Sequence, residues 1–271
     1  MTDVAEPVRR HSTPSWPGLK AIAARWLPPA MFCVLIAVLW ELASRSTASP
    51  LVPSVGEVGD EILRLLRDGE AFRQIGITLL RISLGFAAAF VIALVGGIFA
   101  ARNLTFRRFC EPALILGLTV PGLVWSLLCV IWFGVGLLAP TVAIALGIVP
   151  VMMLHVIHGM RSIDGELIEM VTVFQLSTRD RLTMMWIPGL VPHLIAGARV
   201  GLSLAWKVIV LVELFGLSNG VGYQLNAEFS SQNVAGVLAW TVIFWVVMVV
   251  IEYGALQSLE RHLVGWRREI E

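Results

Sequence analysis

The residues best suited to chemistry in this sequence are charges set inside apolar runs. Arg199, Lys207 and Glu213 fall within residues 190–215, and Glu252 within 234–256. Hydrocarbon cannot solvate an ion, so each must face a bundle interior, water or a membrane edge. Lys207 and Glu213 are separated by about 240° around an α-helix, so they do not pair with each other. The Lys207 ammonium either holds an anionic substrate by charge or neutralises a carboxylate from another segment. Glu213 serves either a transport path or a structural pairing near the outer end of its helix. Trp206 beside Lys207, with Trp125 and Trp132 in an earlier apolar block, supplies flat surface for a translocation path or for ordinary packing. Catalysis is not indicated. His155 and His158 lack a third metal ligand, Cys33, Cys110 and Cys129 lie in or beside apolar segments, and no glycine-rich nucleotide loop occurs. The expectation is a protein that is not an enzyme, with no metal, no cofactor and no nucleic-acid partner.

The elements that must position these groups follow from composition. With 57% hydrophobic and 14% charged residues among 271, and a mean hydropathy of +0.82, the chain reads as an all-α protein that crosses a lipid bilayer repeatedly. Apolar blocks predict about six spans: residues 27–43, 82–101, two within 112–160 joined by a turn at 133–136, 190–215 and 234–256. Pro121 and Gly122 interrupt the third, where a broken backbone ladder must find new partners or line a cavity. Arg102, Arg107 and Arg108 follow the second span, and Arg261, Arg267 and Arg268 the sixth. Such clusters mark the cytoplasmic side, which places both ends of the chain there in the inner membrane. Residues 1–26 and 261–271 then form cytoplasmic tails around a membrane domain at 27–260. Four arginines at 45, 64, 67 and 73 run against this rule in the first external segment, where Glu57, Asp60, Glu61, Asp68 and Glu70 offset them.

Between the fourth and fifth spans lies an island of charge, residues 163–188. Asp164 is a predicted N-cap for a short helix from 165 to about 175, on which Leu167, Val171 and Phe174 share a face. Ser177 with Asp180 three residues on forms a variant capping box for a second short helix, expected to end before Pro188. Flanked by spans, this island projects from one face of the membrane, and a projecting apolar face needs a groove to fill.

The spacing here resembles the cytoplasmic motif of bacterial ABC importer permeases: Glu-Ala-Ala, three residues, Gly, nine residues, Ile-x-Leu-Pro. Glu169 stands at its glutamate, Ile187 at its leucine and Pro188 at its proline, whereas Met170, Val171, Gln175 and Met185 depart from it. Other segments are similar to the nitrate, taurine and alkanesulfonate branch of that family. These are Val120-Pro121, Trp125 and the run Ile131-Trp132-Phe133-Gly134-Val135-Gly136, then Gly197, Arg199, Gly201, Ala205-Trp206 and Val212-Glu213-Leu214, and then Gly220-Val221-Gly222-Tyr223. Leu127 and Lys207 differ from residues usual in the branch.

The resemblance implies a type I ABC importer permease fold and a coupling helix at about 164–176, in which Glu166, Glu169, Met170, Val171, Gln175 and Pro188 serve ATPase coupling. It implies two ATP-binding cassette subunits, a second permease subunit (a copy of this chain or a related one) and an extracytoplasmic substrate-binding protein. Trp125, Trp132, Arg199, Trp206, Lys207 and Glu213 become the expected translocation path. The expected substrate is a small anion, a sulfonate such as taurine or an alkanesulfonate, or else nitrate or bicarbonate. An uncharged aromatic or pyrimidine-like precursor is the alternative within the family. An ion-coupled secondary transporter is the alternative outside it, disfavoured because the carboxylates in the spans cluster near span ends.

Overall fold

The computed structural model describes residues 19–47, 49 and 51–256, and helices follow one another with no strand among them. The chain divides into two compact units, residues 1–56 and 57–271. In the first, α1 (Leu19–Thr47) is followed by a segment tied back onto it. The Trp40 indole N–H donates to the Pro53 carbonyl and the Ser44 hydroxyl to that of Val52, both at 2.8 Å. Helix α1 begins at Leu19, inside the stretch expected to be tail. The expectations for residues 1–18 and 257–271 lie outside the described residues.

α2 (Val55–Arg67) carries Val58 and Leu65 on a buried face and charges on the other. The second unit is organised around α6 (Leu138–Arg161), which packs against both α3 (Glu70–Arg102) and α9 (Ile187–Gly216). Small residues make the close approach possible. Gly85 and Gly97 of α3 lie against Ile144 and Val156 of α6, so these two helices run parallel. Gly197 and Gly201 of α9 lie against His155 and Met152, so α9 runs antiparallel to α6. A side chain at any of these glycines would push the helices apart, and in lipid such close packing is a main source of helix association.

α3, α6 and the helix running Thr178–Gly216 are each long and apolar enough to cross a membrane. α4 (Leu104–Thr119) and α5 (Gly122–Phe133) are together apolar enough to enter the membrane as one broken helix pair, bent by 102°. The break falls at Val120, which is extended at ψ 125° because the ring of Pro121 disfavours a helical residue before it. α10 (Val221–Ser230) is short and polar, and α11 (Val234–Val250) is a shorter apolar helix followed by a π turn at Ile251–Leu256.

Two boundaries differ from expectation. α3 starts at Glu70 rather than near residue 82, because Gln74, Thr78 and Arg81 face inward and belong to the helix despite their polarity. The second helix of the charged island does not stop before Pro188. α8 (Thr178–Arg181) continues through a π turn at Leu182–Trp186 into α9, and Pro188 occupies the first turn after it. A widened turn is where a helix accommodates a proline that lacks a donor and crowds the preceding turn.

Candidate functional site

The charged island folds as two capped helices. Asp164 Oδ1 accepts from the Glu166 amide at 3.0 Å, capping α7 (Gly165–Val173). At the other end of α7, the Leu176 amide donates to the Val171 carbonyl and that of Gln175 to Thr172, both at 3.2 Å, with Gln175 at φ +50°. This is the left-handed C-terminal cap that glycine ordinarily fills, and it explains why the motif has glycine where this chain has Gln175. Ser177 then caps α8, its hydroxyl accepting from the Asp180 amide at 3.2 Å and donating to Oδ2 of the same residue at 2.6 Å. The Arg181 guanidinium donates to the Leu176 carbonyl at 2.9 Å and fixes the joint.

Of the expected coupling residues, Glu166, Glu169, Met170 and Gln175 are exposed and Pro188 is half-buried. Val171 is 5% exposed, so the shared face is divided: Val171 is buried while Leu167 and Phe174 are left open. Phe174, at 70% exposed, is the largest open apolar side chain at the joint between α7 and α8.

The charges and tryptophans of the expected path do not converge on one point. Lys207 is exposed on a face of α9 that also carries Ala196, Val200 and Phe215, and Arg199 is half-buried. Trp206 packs edge-on against Phe244 of α11, with ring centroids 5.5 Å apart. Trp125 is half-buried and lines an apolar cavity of about 510 Å³ among α3, α4, α5 and α6, while Trp132 is exposed and meets Phe133 edge-on. Among the described residues no group of three His, Cys, Asp or Glu side chains could hold a metal ion.

Glu213 is wholly buried in a polar clasp at the end of α9. Its carboxylate accepts from Arg81 Nη1 at 2.7 Å, from the Thr78 hydroxyl at 2.9 and 3.0 Å, and from the Gly222 amide at 3.0 Å. Around this centre, Thr78 Oγ1 accepts from the Val221 amide, Gln74 Oε1 accepts from the Gly220 amide at 2.7 Å, and Arg81 also donates to the backbone and side chain of Asn219. The start of α10 is thereby held by α3 and α9, its otherwise orphaned amides satisfied by side chains from these two helices. Sequence reading singled out Glu213 but not these partners. The signal was the spacing of Gln74, Thr78 and Arg81, which puts three polar groups on one face of an otherwise apolar helix.

Among the described residues an all-helical bundle, with one broken helix pair and a capped helical island between two long apolar helices, has the architecture of the type I ABC importer permease fold. The structure is similar to a chain of the MetNI methionine ABC transporter in an inward facing conformation, with a TM-score of 0.61 and 17% identity, covering 71% of this chain and 95% of that one. Residues 93–260 match the model of the binding-protein-dependent transport system inner membrane component, and the chain belongs to that family. It is 28% identical over 271 residues to a Bacillus subtilis protein named as an aliphatic sulfonates transport permease, SsuC, covering 98% of this chain and 95% of that one. It is also 28% identical over 246 residues to the taurine transport system permease protein TauC of Escherichia coli, covering 88% of each.

Proposed function

We propose that this chain is the membrane subunit of an ATP-driven importer and forms the path for a small anion, first a sulfonate such as taurine or an alkanesulfonate, then nitrate or bicarbonate. The observation that carries the anion is Lys207. It stands exposed on a spanning helix, makes no ion pair with a described residue, and lies on a face of α9 with the exposed Ala196 and Val200. A lone ammonium on such a face is stable only against water, a second subunit or an anion. Similarity along nearly the whole chain to two proteins named for sulfonate and taurine transport supports the same class.

In this reading α7 and α8 project into the cytoplasm and dock on two ATP-binding cassette subunits, with Glu166, Glu169, Met170 and Gln175 on the contact side, Val171 buried within the element and Pro188 at its junction with α9. Closure of the nucleotide-binding pair moves the docked helices, and the π turn at Leu182–Trp186 passes that movement into α9. A second permease subunit completes the path, and an extracytoplasmic binding protein delivers the substrate. This chain needs no catalytic residue of its own.

The test is taurine uptake into vesicles bearing the assembled complex, with ATP enclosed and binding protein outside. Uptake should require ATP and fall at least about tenfold in Lys207→Glu, a loss of the size expected when one charge contact to the substrate is reversed. Unchanged uptake in Lys207→Ala and Lys207→Glu removes the anion argument. Uptake driven by an ion gradient without ATP displaces the importer reading itself.

A further inference from the structure

We infer that the inner end of α3 and the π turn before α9 form a binding site for one anionic phospholipid. A trough of about 250 Å³ runs between α3, α6 and α9, walled by Leu94, Ile98, Trp186, Leu190 and Leu194, with Arg102 as its one charged lining residue. Leu94, Ile98 and Arg102 share a face of α3 at intervals of one turn, so the apolar wall extends about 12 Å from the guanidinium. A ligand that fits has a single anionic end and an apolar tail. A water-soluble anion would meet one donor and a dry wall, and would lose more solvation than that donor returns.

Charge complementarity favours a lipid headgroup at the mouth. Arg102 lies over the Trp186 ring at 5.4 Å, a contact that orients the guanidinium without neutralising it. Arg107 and Arg108 follow on the first turns of α4, and none of the three forms an ion pair with a described carboxylate. An arginine with no ion pair to a described carboxylate, lying over a tryptophan at the end of a spanning helix, matches the phosphate level of a membrane, with the trough leading from there into the hydrocarbon. The site depends on the membrane placement of α3 and α9 and not on which substrate the protein carries. Its occupant would press on the π turn that joins the charged island to α9.

The experiment is native mass spectrometry of the full-length chain, purified with its partner subunits and equilibrated with equal amounts of dioleoyl phosphatidylglycerol and dioleoyl phosphatidylcholine. The wild type should retain the anionic lipid about fivefold over the zwitterionic one, the ratio expected for one arginine at the surface. Arg102→Gln, an exposed position, should bring the ratio to about one, and Leu94→Trp, which fills the trough and leaves the charge, should lower retention of both lipids. An undiminished preference in Arg102→Gln overturns the inference, as does equal displacement of the lipid by free glycerol phosphate. A photoreactive residue at position 94 that cross-links to a second copy, or to another segment of the same chain, instead of lipid also overturns it.

Discussion

Arg81 Nη1 and Glu213 Oε1 meet at 2.7 Å between α3 and α9, with side chains only 8% and 0% exposed. The pair joins two spanning helices far apart in sequence, and its spare valences hold the first turn of α10 through Asn219 and Gly222. Removing one partner leaves the other charged and enclosed. Glu213→Ala and Arg81→Ala should each destabilise the protein by about 3–5 kcal/mol, whereas Arg81→Met with Glu213→Leu should regain much of that loss. Thermal unfolding in detergent measures all three, and a double variant no more stable than the singles would show that the clasp contributes more than its ion pair.

Two glycines should be nearly irreplaceable for steric reasons. A Cβ on Gly220 would strike the Glu213 carboxylate, and that residue is at φ +101°; a Cβ on Gly222 would strike the Val210 carbonyl oxygen. Gly220→Ala and Gly222→Ala should each cost about 2 kcal/mol or more. The control is Gly76→Ala, where an added methyl meets open space within α3 and should be neutral or slightly stabilising.

At Gln175 the direction reverses. A non-glycine residue at φ +50° carries steric strain that glycine avoids, so Gln175→Gly should stabilise α7 by about 1 kcal/mol. Hydrogen exchange of the Leu176 amide, which closes the cap, reads this locally.

The division of α7 into a buried and an open side predicts opposite phenotypes from neighbouring positions. Phe174→Asp adds a charge to an exposed site and should leave folding intact while weakening ATPase stimulation or transport at least about tenfold. Val171→Asp buries a charge and should reduce folded protein before any assay of coupling. Equal loss of folding in both would contradict the division.

Outside the spans, the Arg64 side chain hydrogen-bonds Glu61 on α2 and holds its carboxyl below the usual range. A depressed carboxyl pKa contributes stability that is present at neutral pH and lost as the pH falls through it. Since Arg64 is half exposed, Glu61→Gln should cost no more than about 0.5 kcal/mol at neutral pH, and the difference should vanish in acid.

Membrane class, the charged island and its caps at Asp164 and Ser177 were legible in the sequence, because burial in lipid and helix capping depend on residue type and local spacing. The break at Pro121 was legible for the same reason, since proline restricts the residue before it wherever it stands. What only the tertiary structure decided was pairing. Glu213 needed a partner, but that Arg81, Thr78 and Gly222 supply it follows from α3, α9 and α10 meeting at one end of the bundle. The burial of Val171 beside the exposed Phe174, and the passage of α8 through a π turn into α9, likewise depend on which neighbours a helix meets. Periodicity says which residues share a face, but the contacts of the folded chain determine what that face touches.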